Sequence, residues 1–207
     1  MSLLIELHYF PSIIWYKKLN EFSHIKIDQY ERFQKMSFRN RCIISGANGP
    51  MILSVPIAGG RNSKLPMNEV EIDYKTRWQD IHWRSIYSAY NRSPWFEFYK
   101  DEMLEFYQSR LEKLWDWNLM LFKWTIKKLQ LDHLNIEWAS RPKSLLGPDE
   151  LDFRNKISPK NIHEYDMEIP RYSQVFEERH GFVPNLSIID LLFSEGPKAG
   201  QILQAGT

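Results

Sequence analysis

Between positions 35 and 41 the chain reads Lys35-Met36-Ser37-Phe38-Arg39-Asn40-Arg41, directly before the apolar run Cys42-Ile43-Ile44. In a strand beginning there, Arg39 and Arg41 fall on one face, because side chains alternate with period two. Two neighbouring guanidiniums repel unless an anion lies between them. The guanidinium fork matches carboxylate and phosphate in a planar, two-bond geometry. The pattern describes an anion-binding wall, with Asn40 and Lys35 as further donors. It also fits a solvated strand edge, or arginines paired with Glu31 or Asp28. His8 stands where a first apolar run ends, and Asp28 where a second one does. In open α/β sheets ligands bind outside the carboxyl ends of strands, beside helix N-termini. There His8 could move a proton or contact a phosphate, and Asp28 could orient or deprotonate an acceptor. The structural alternatives are a half-exposed loop histidine and a turn-capping aspartate. His82, near Trp78, Ser85 and Ile86 on a helical stretch, suits packing as well as a site.

These residues need elements to position them. Leu3-Leu4-Ile5-Glu6-Leu7 is a nearly continuous apolar run, as in a central strand. Tyr9-Phe10-Pro11 breaks it. Ser12 can cap a helix from Ile13 to Phe22, and His24–Asp28 forms the next strand. Strand, helix, strand in close succession predicts a βαβ unit with a parallel pair. Residues 42–45 and 51–57 flank Asn48-Gly49, a hairpin signal. Glu69-Val70-Glu71-Ile72-Asp73 alternates as an edge strand would. Thr76–Asn91 and Pro94 to about Leu131 carry bulky apolar residues at helical spacing, with a tryptophan stripe that reads as core. Leu134–Trp138 reads as a last strand. Residues 139–171, with four prolines and mixed charge, read as an irregular loop that is mobile without ligand, either a lid that folds over bound ligand or a solvated loop without function. The expected fold is α/β in a single domain over 1–207. Residues 1–75 form a small mixed sheet built on the βαβ unit and the hairpin; residues 76–207 form a large helical part.

Composition narrows the function classes. The chain has 207 residues, 43% hydrophobic and 14% aromatic, with net charge +1. That argues for a folded protein and gives no global reason to expect nucleic acid or a membrane surface. Residues 1–66 hold nine Lys/Arg against four Asp/Glu, a net +5; the remainder holds 18 against 22, a net −4. The basic excess accompanies the anion wall and supports an anionic small molecule: a phosphate, a nucleotide-linked sugar or a carboxylate. Cys42 is the single cysteine, so no internal disulfide forms, and it reads as a buried thiol. No apolar run approaches the roughly 20 residues of a membrane span, and no leader pattern opens the chain; the expectation is a soluble cytoplasmic protein, with oligomers open. There is no Gly-x-Gly-x-x-Gly, Walker-type loop, His-Glu-x-x-His or Gly-x-Ser-x-Gly. No tightly bound metal or cofactor is expected, although assembled carboxylates could hold Mg²⁺ with a phosphate substrate.

The order of motifs carries a resemblance. Tyr9-Phe10-Pro11, His24–Asp28, the Lys35–Arg41 stretch, Asn48-Gly49-Pro50, Leu53-Ser54-Val55-Pro56-Ile57 and Trp78-Gln79-Asp80-Ile81-His82 follow one another as in the WbqC-like family. These are small bacterial proteins often encoded with O-antigen biosynthesis enzymes. The family's first strand ends in Gln-Pro-x-Phe-x-Pro; here the Gln-Pro pair is missing and His8 stands near its place. Tyr172–Phe176 and Gly181–Phe193 resemble the C-terminal signature of one branch. Asp152–Lys160 resembles a segment of that branch and contains Arg154, a further substrate-binding candidate. The resemblance implies a role in surface polysaccharide biosynthesis, for example transfer of an amino-acyl group to an amino sugar. Two readings follow. In one, a group-transfer enzyme uses Arg39, Asn40 and Arg41 as the anion clamp, His8 as the proton carrier and Asp28 as the orienting carboxylate. In the other, a non-catalytic partner of a biosynthetic enzyme presents its aromatic helices as the interface.

Overall fold

The computed structural model describes residues 1–59, 64–138 and 149–204. Strands β1 (Ser2–Glu6) and β2 (His24–Asp28) are joined by helix α1 (Ile13–Asn20) and pair in parallel, Glu6 opposite Asp28. Hairpin β3 (Arg41–Ile44) and β4 (Met51–Ser54) turns at Gly49, whose φ of 106° suits glycine. Helices α2 (Trp78–Tyr90), α3 (Phe96–Gln108) and α4 (Leu114–Lys128) follow, then β5 (Asn135–Trp138), β6 (Glu150–Asp152), and the shorter helices α5 (Glu177–His180), α6 (Ile188–Glu195) and α7 (Ala199–Gln204). The order β5-β2-β1-β6 makes a wholly parallel sheet, and the hairpin is separate from it. The α/β reading holds, with parallel and antiparallel pairing kept apart.

Alternation gives the sheet two characters. Leu3, Ile5, Leu7, Ile25 and Ile27 turn into the main core with Trp15 and Phe122. Leu4, Glu6, Lys26, Asp28 and Asp152 share the other face by register. Lys26 there meets Glu150 at 2.7 Å. The tryptophan stripe is core: Trp117 is fully buried, 5.1 Å from Trp78 between ring centroids.

Four expectations change. Ser12 holds the position before α1, but its side chain makes no capping bond. The Leu186 carbonyl takes the Ile13 N–H instead, at 3.1 Å. The long helix after Pro94 breaks at 109–113. Residues 70–72 and 112–114 run side by side there, with Ile72 N–H on the Glu112 carbonyl at 2.8 Å and Leu114 N–H on that of Val70 at 2.9 Å. The alternation in 69–73 is thus spent on two isolated bridges, Ile57 to Ile72 and Glu71 to Lys113, and not on a sheet edge. Finally, 149–171 is structured. It contributes β6, a 3₁₀ turn at Ile162–Glu168, and backbone bonds such as Phe153 N–H to the Leu4 carbonyl at 2.8 Å. Residues 139–148, the rest of that expected loop, lie outside the described residues.

A buried carboxylate ties the C-terminal segment to the helices. Asp190 accepts from Tyr90 at 2.7 Å and from Tyr172 at 2.6 Å. Burial pushes its carboxyl up to about 6, against the pull of those hydroxyls. Asp190→Asn leaves one tyrosine short of an acceptor and is expected to cost about 1–3 kcal/mol, read as a shifted denaturant midpoint with unchanged slope.

Candidate functional site

The carboxyl ends of the parallel strands gather charged side chains in a place with almost no surface. Glu6 is the last residue of β1. Its two oxygens accept the Asn155 backbone N–H at 3.1 and 3.0 Å, and His8 Nε2 lies 3.1 Å from Oε1. Arg39 Nη2 is 3.9 Å from the same oxygen and donates to Asn155 Oδ1 at 2.6 Å. Arg39 Nε and Nη2 hold Glu31 Oε1 at 2.8 and 2.6 Å. Asn118, from α4, fixes the segment by donating to the Arg39 carbonyl at 2.7 Å. His8, Glu6 and Arg39 are 0%, 1% and 1% exposed, so the cluster is closed. Asn155 forms the cover, in the left-handed region at φ 63°.

A second set borders it. Arg154, two residues past β6, grips both oxygens of Asp152 at 2.9 and 2.7 Å and reaches Asp28 Oδ2 at 2.6 Å. Asp28 Oδ1 takes the Tyr30 N–H at 2.8 Å. Both oxygens of Asp28 are therefore engaged.

Burial and charge split the acids. Burial raises the Glu6 carboxyl, but the His8 hydrogen bond and the Arg39 charge outweigh that and hold it low. Burial lifts Glu31 to about 8 despite Arg39, with Glu6 and Asp28 repelling its charged form. Burial lowers His8, which Glu6 only partly offsets. A neutral His8 facing a carboxylate donates from Nε2, so Nδ1 carries the lone pair. That Nδ1 is buried without a partner. The pair Glu6–His8 is an oriented base, and Glu31 is an acid that keeps its proton to neutral pH, the divergence that separates acid from base roles.

The structure divides the sequence candidates. His8, Asp28, Arg39 and Arg154 meet at this end of the sheet. Arg39 and Arg41 do not share a strand face, because β3 starts only at Arg41; Arg39 is buried on Glu31, one of the pairings the sequence allowed. Lys35, Asn40 and Arg41 line a separate groove of about 260 Å³ with Val55 and Ile57. His82 is in neither place. Its Nδ1 lies 3.0 Å from the Tyr9 hydroxyl, its ring stacks on Tyr9 and meets Trp78 and Tyr107 edge-on, and burial lowers it to about 4. Among the described residues no group of three or more His, Cys, Asp or Glu side chains is placed to hold a metal ion.

Sequence reading missed Glu6, Asp152 and Asn155. The signal for Glu6 was present: a lone charge in an apolar strand, two residues before His8 and so on its face. Asn155 carried no such signal, since its role rests on a bond to Glu6 149 positions away.

No helix among the described residues is long and apolar enough to cross a membrane. No curated protein and no solved structure matches the chain. The family model for the WbqC-like protein family matches residues 7–153 and 143–202, most of the sequence. The chain, with its closed Glu6–His8–Arg39 cluster at the carboxyl end of a parallel sheet, belongs to the WbqC-like protein family.

Proposed function

We propose that this protein is a cytoplasmic group-transfer enzyme of surface polysaccharide biosynthesis, acting on a small substrate that carries a phosphate, nucleotide or carboxylate group. Transfer of an amino-acyl group to the amine of an amino sugar is the form of the reaction the residues serve best. His8 Nδ1 takes the proton of the attacking amine or hydroxyl. Glu6 holds the ring in one tautomer and balances the imidazolium that forms. Glu31, still protonated, supplies a proton to the leaving group. Asp28 and Arg154 sit at the rim and position the acceptor. No tightly bound cofactor is invoked, and Mg²⁺ enters only as the counter-ion of a phosphate substrate.

The observation that carries this reading is the Glu6–His8 pair, with its 3.1 Å bond and unspent Nδ1, at the strand ends where α/β sheets hold ligands. Complete burial of His8 favours the second reading, a non-catalytic partner of such an enzyme. Mass-spectrometric detection of transfer from activated acyl donors to amino and nucleotide sugars separates the two. The pH profile adds a specific expectation. Because burial lowers His8, its base form persists below the usual 6.5, so the acid limb of kcat/KM falls below pH 6.5. An absence of product across the panel, or an acid limb above 6.5, removes His8 as the base.

A further inference from the structure

Arg41 lines the groove and not the cluster, and its guanidinium is nearly unused. Arg39 and Arg154 hold carboxylates at 2.6 Å. Arg41 Nε–H, in contrast, is buried without an acceptor, and the hydrogen bond Arg41 does make runs from Nη1 to the Met36 sulfur at 3.1 Å. A thioether is a weak acceptor. Met36 is 56% exposed and sits at φ 59°, so it can leave at little loss of packing. Among the described residues no carboxylate pairs with Arg41 or with the exposed Lys35 beside it. Pro56 and Ile57, both half-buried, give the groove an apolar wall. Ser54, exposed, stands directly opposite Arg41 in the hairpin register.

Two uncompensated cations at a concave site with an apolar wall define a ligand class. The Nη1–Nη2 edge of a guanidinium, the one Met36 caps here, presents two parallel donors to one oxyanion. The volume, about 260 Å³, is just under the range for drug-sized ligands, roughly 300–1,000 Å³. We infer that this groove binds a small molecule whose carboxylate or phosphate displaces the Met36 sulfur from Arg41, with Lys35 adding charge and one ring-sized apolar body lying against Pro56 and Ile57. The inference moves the anion from Arg39 to Arg41 and rests on the proposed transfer only in calling that ligand the substrate. Phe38, whose ring centroid is 5.8 Å from that of His8, is three residues from Arg41. That spacing places the two Cα atoms within roughly 11 Å of each other.

The test is isothermal titration of the full chain with phenyl phosphate, benzoate and inorganic phosphate. Saturable binding of a ring-bearing probe is expected, and which one binds more tightly tells phosphate from carboxylate. Arg41→Met should weaken it at least about tenfold, the equivalent of about 1.4 kcal/mol, with an unchanged melting temperature, since no internal anion is left unpaired. Ser54→Glu puts a competing carboxylate opposite the guanidinium and should abolish binding while raising the melting temperature. Met36→Ala should tighten it. No binding of either ring probe, undiminished binding by Arg41→Met or Ser54→Glu, or equal affinity for phenyl and inorganic phosphate overturns the inference. Turnover is not read in any of these titrations, so they can fail while His8-dependent transfer stands, and the reverse.

Discussion

Arg39→Met is expected to destabilise the protein by about 3–5 kcal/mol, the loss typical of breaking a buried ion pair from one side. For a chain of this size that lowers the melting temperature by about 6–20 °C. Methionine keeps much of the arginine stem but leaves the Glu6 carboxylate without its cation, Glu31 Oε1 without the two N–H groups that hold it, and Asn155 Oδ1 without its donor. An arginine facing an empty anion site would give the opposite result, because removing it relieves repulsion. Adding Glu6→Gln to Arg39→Met should recover part of the loss by removing the stranded charge. Glu31→Gln alone should cost little near neutral pH, since burial holds that carboxyl protonated to about 8. Between the ordinary value of 4.5 and about 8 the folded protein binds this proton more tightly than the unfolded chain does, so stability falls as pH rises through that window. Glu31→Gln flattens that part of the curve. A wild-type melting temperature for Arg39→Met contradicts the cluster as described.

The second large effect concerns turnover. His8→Gln should lower kcat/KM for transfer by about 10²–10⁴, the usual worth of a positioned general base. Glu6→Gln keeps an oxygen for the Asn155 N–H but loses the charge that partly supports the imidazolium. It should cost less than His8→Gln and move the acid limb further down, because burial then acts on His8 unopposed. The double variant should be no slower than His8→Gln alone, since residues that act as a unit do not add. Additive losses, or an acid limb that stays in place in Glu6→Gln, leave Glu6 with a packing role only.

Much of the frame was legible in the chain. The βαβ unit showed in the apolar runs Leu3–Leu7 and His24–Asp28, the hairpin in Asn48-Gly49, β5 in Leu134–Trp138, and the buried stripe in the tryptophans around 115–124. What was not legible depends on contacts distant in sequence. β6 has three residues, too few for a period to show, and is defined by pairing with Ser2–Leu4. The α3–α4 break has neither glycine nor proline; residues 70–72 impose it by pairing with 112–114. For the site, His8, Asp28 and the arginines were visible as residue types. Their division between a closed cluster and an open groove was not, because it turns on where β3 begins and on Glu31 meeting Arg39 first.

The Asn155 cover has a consequence for timing. In the arrangement described no molecule can touch His8, so any encounter with it belongs to a minority population in which the Asn155 backbone has left the Glu6 carboxylate. If that population is ~1%, affinity measured in bulk is ~100-fold weaker than the open form's own. The strand leading into the cover is held to β1 over three residue pairs, which makes its release a local event and not a global one. Selection of partners at His8 then acts twice, once in admission and once in fit, and only a compound present long enough to coincide with an opening is ever sampled.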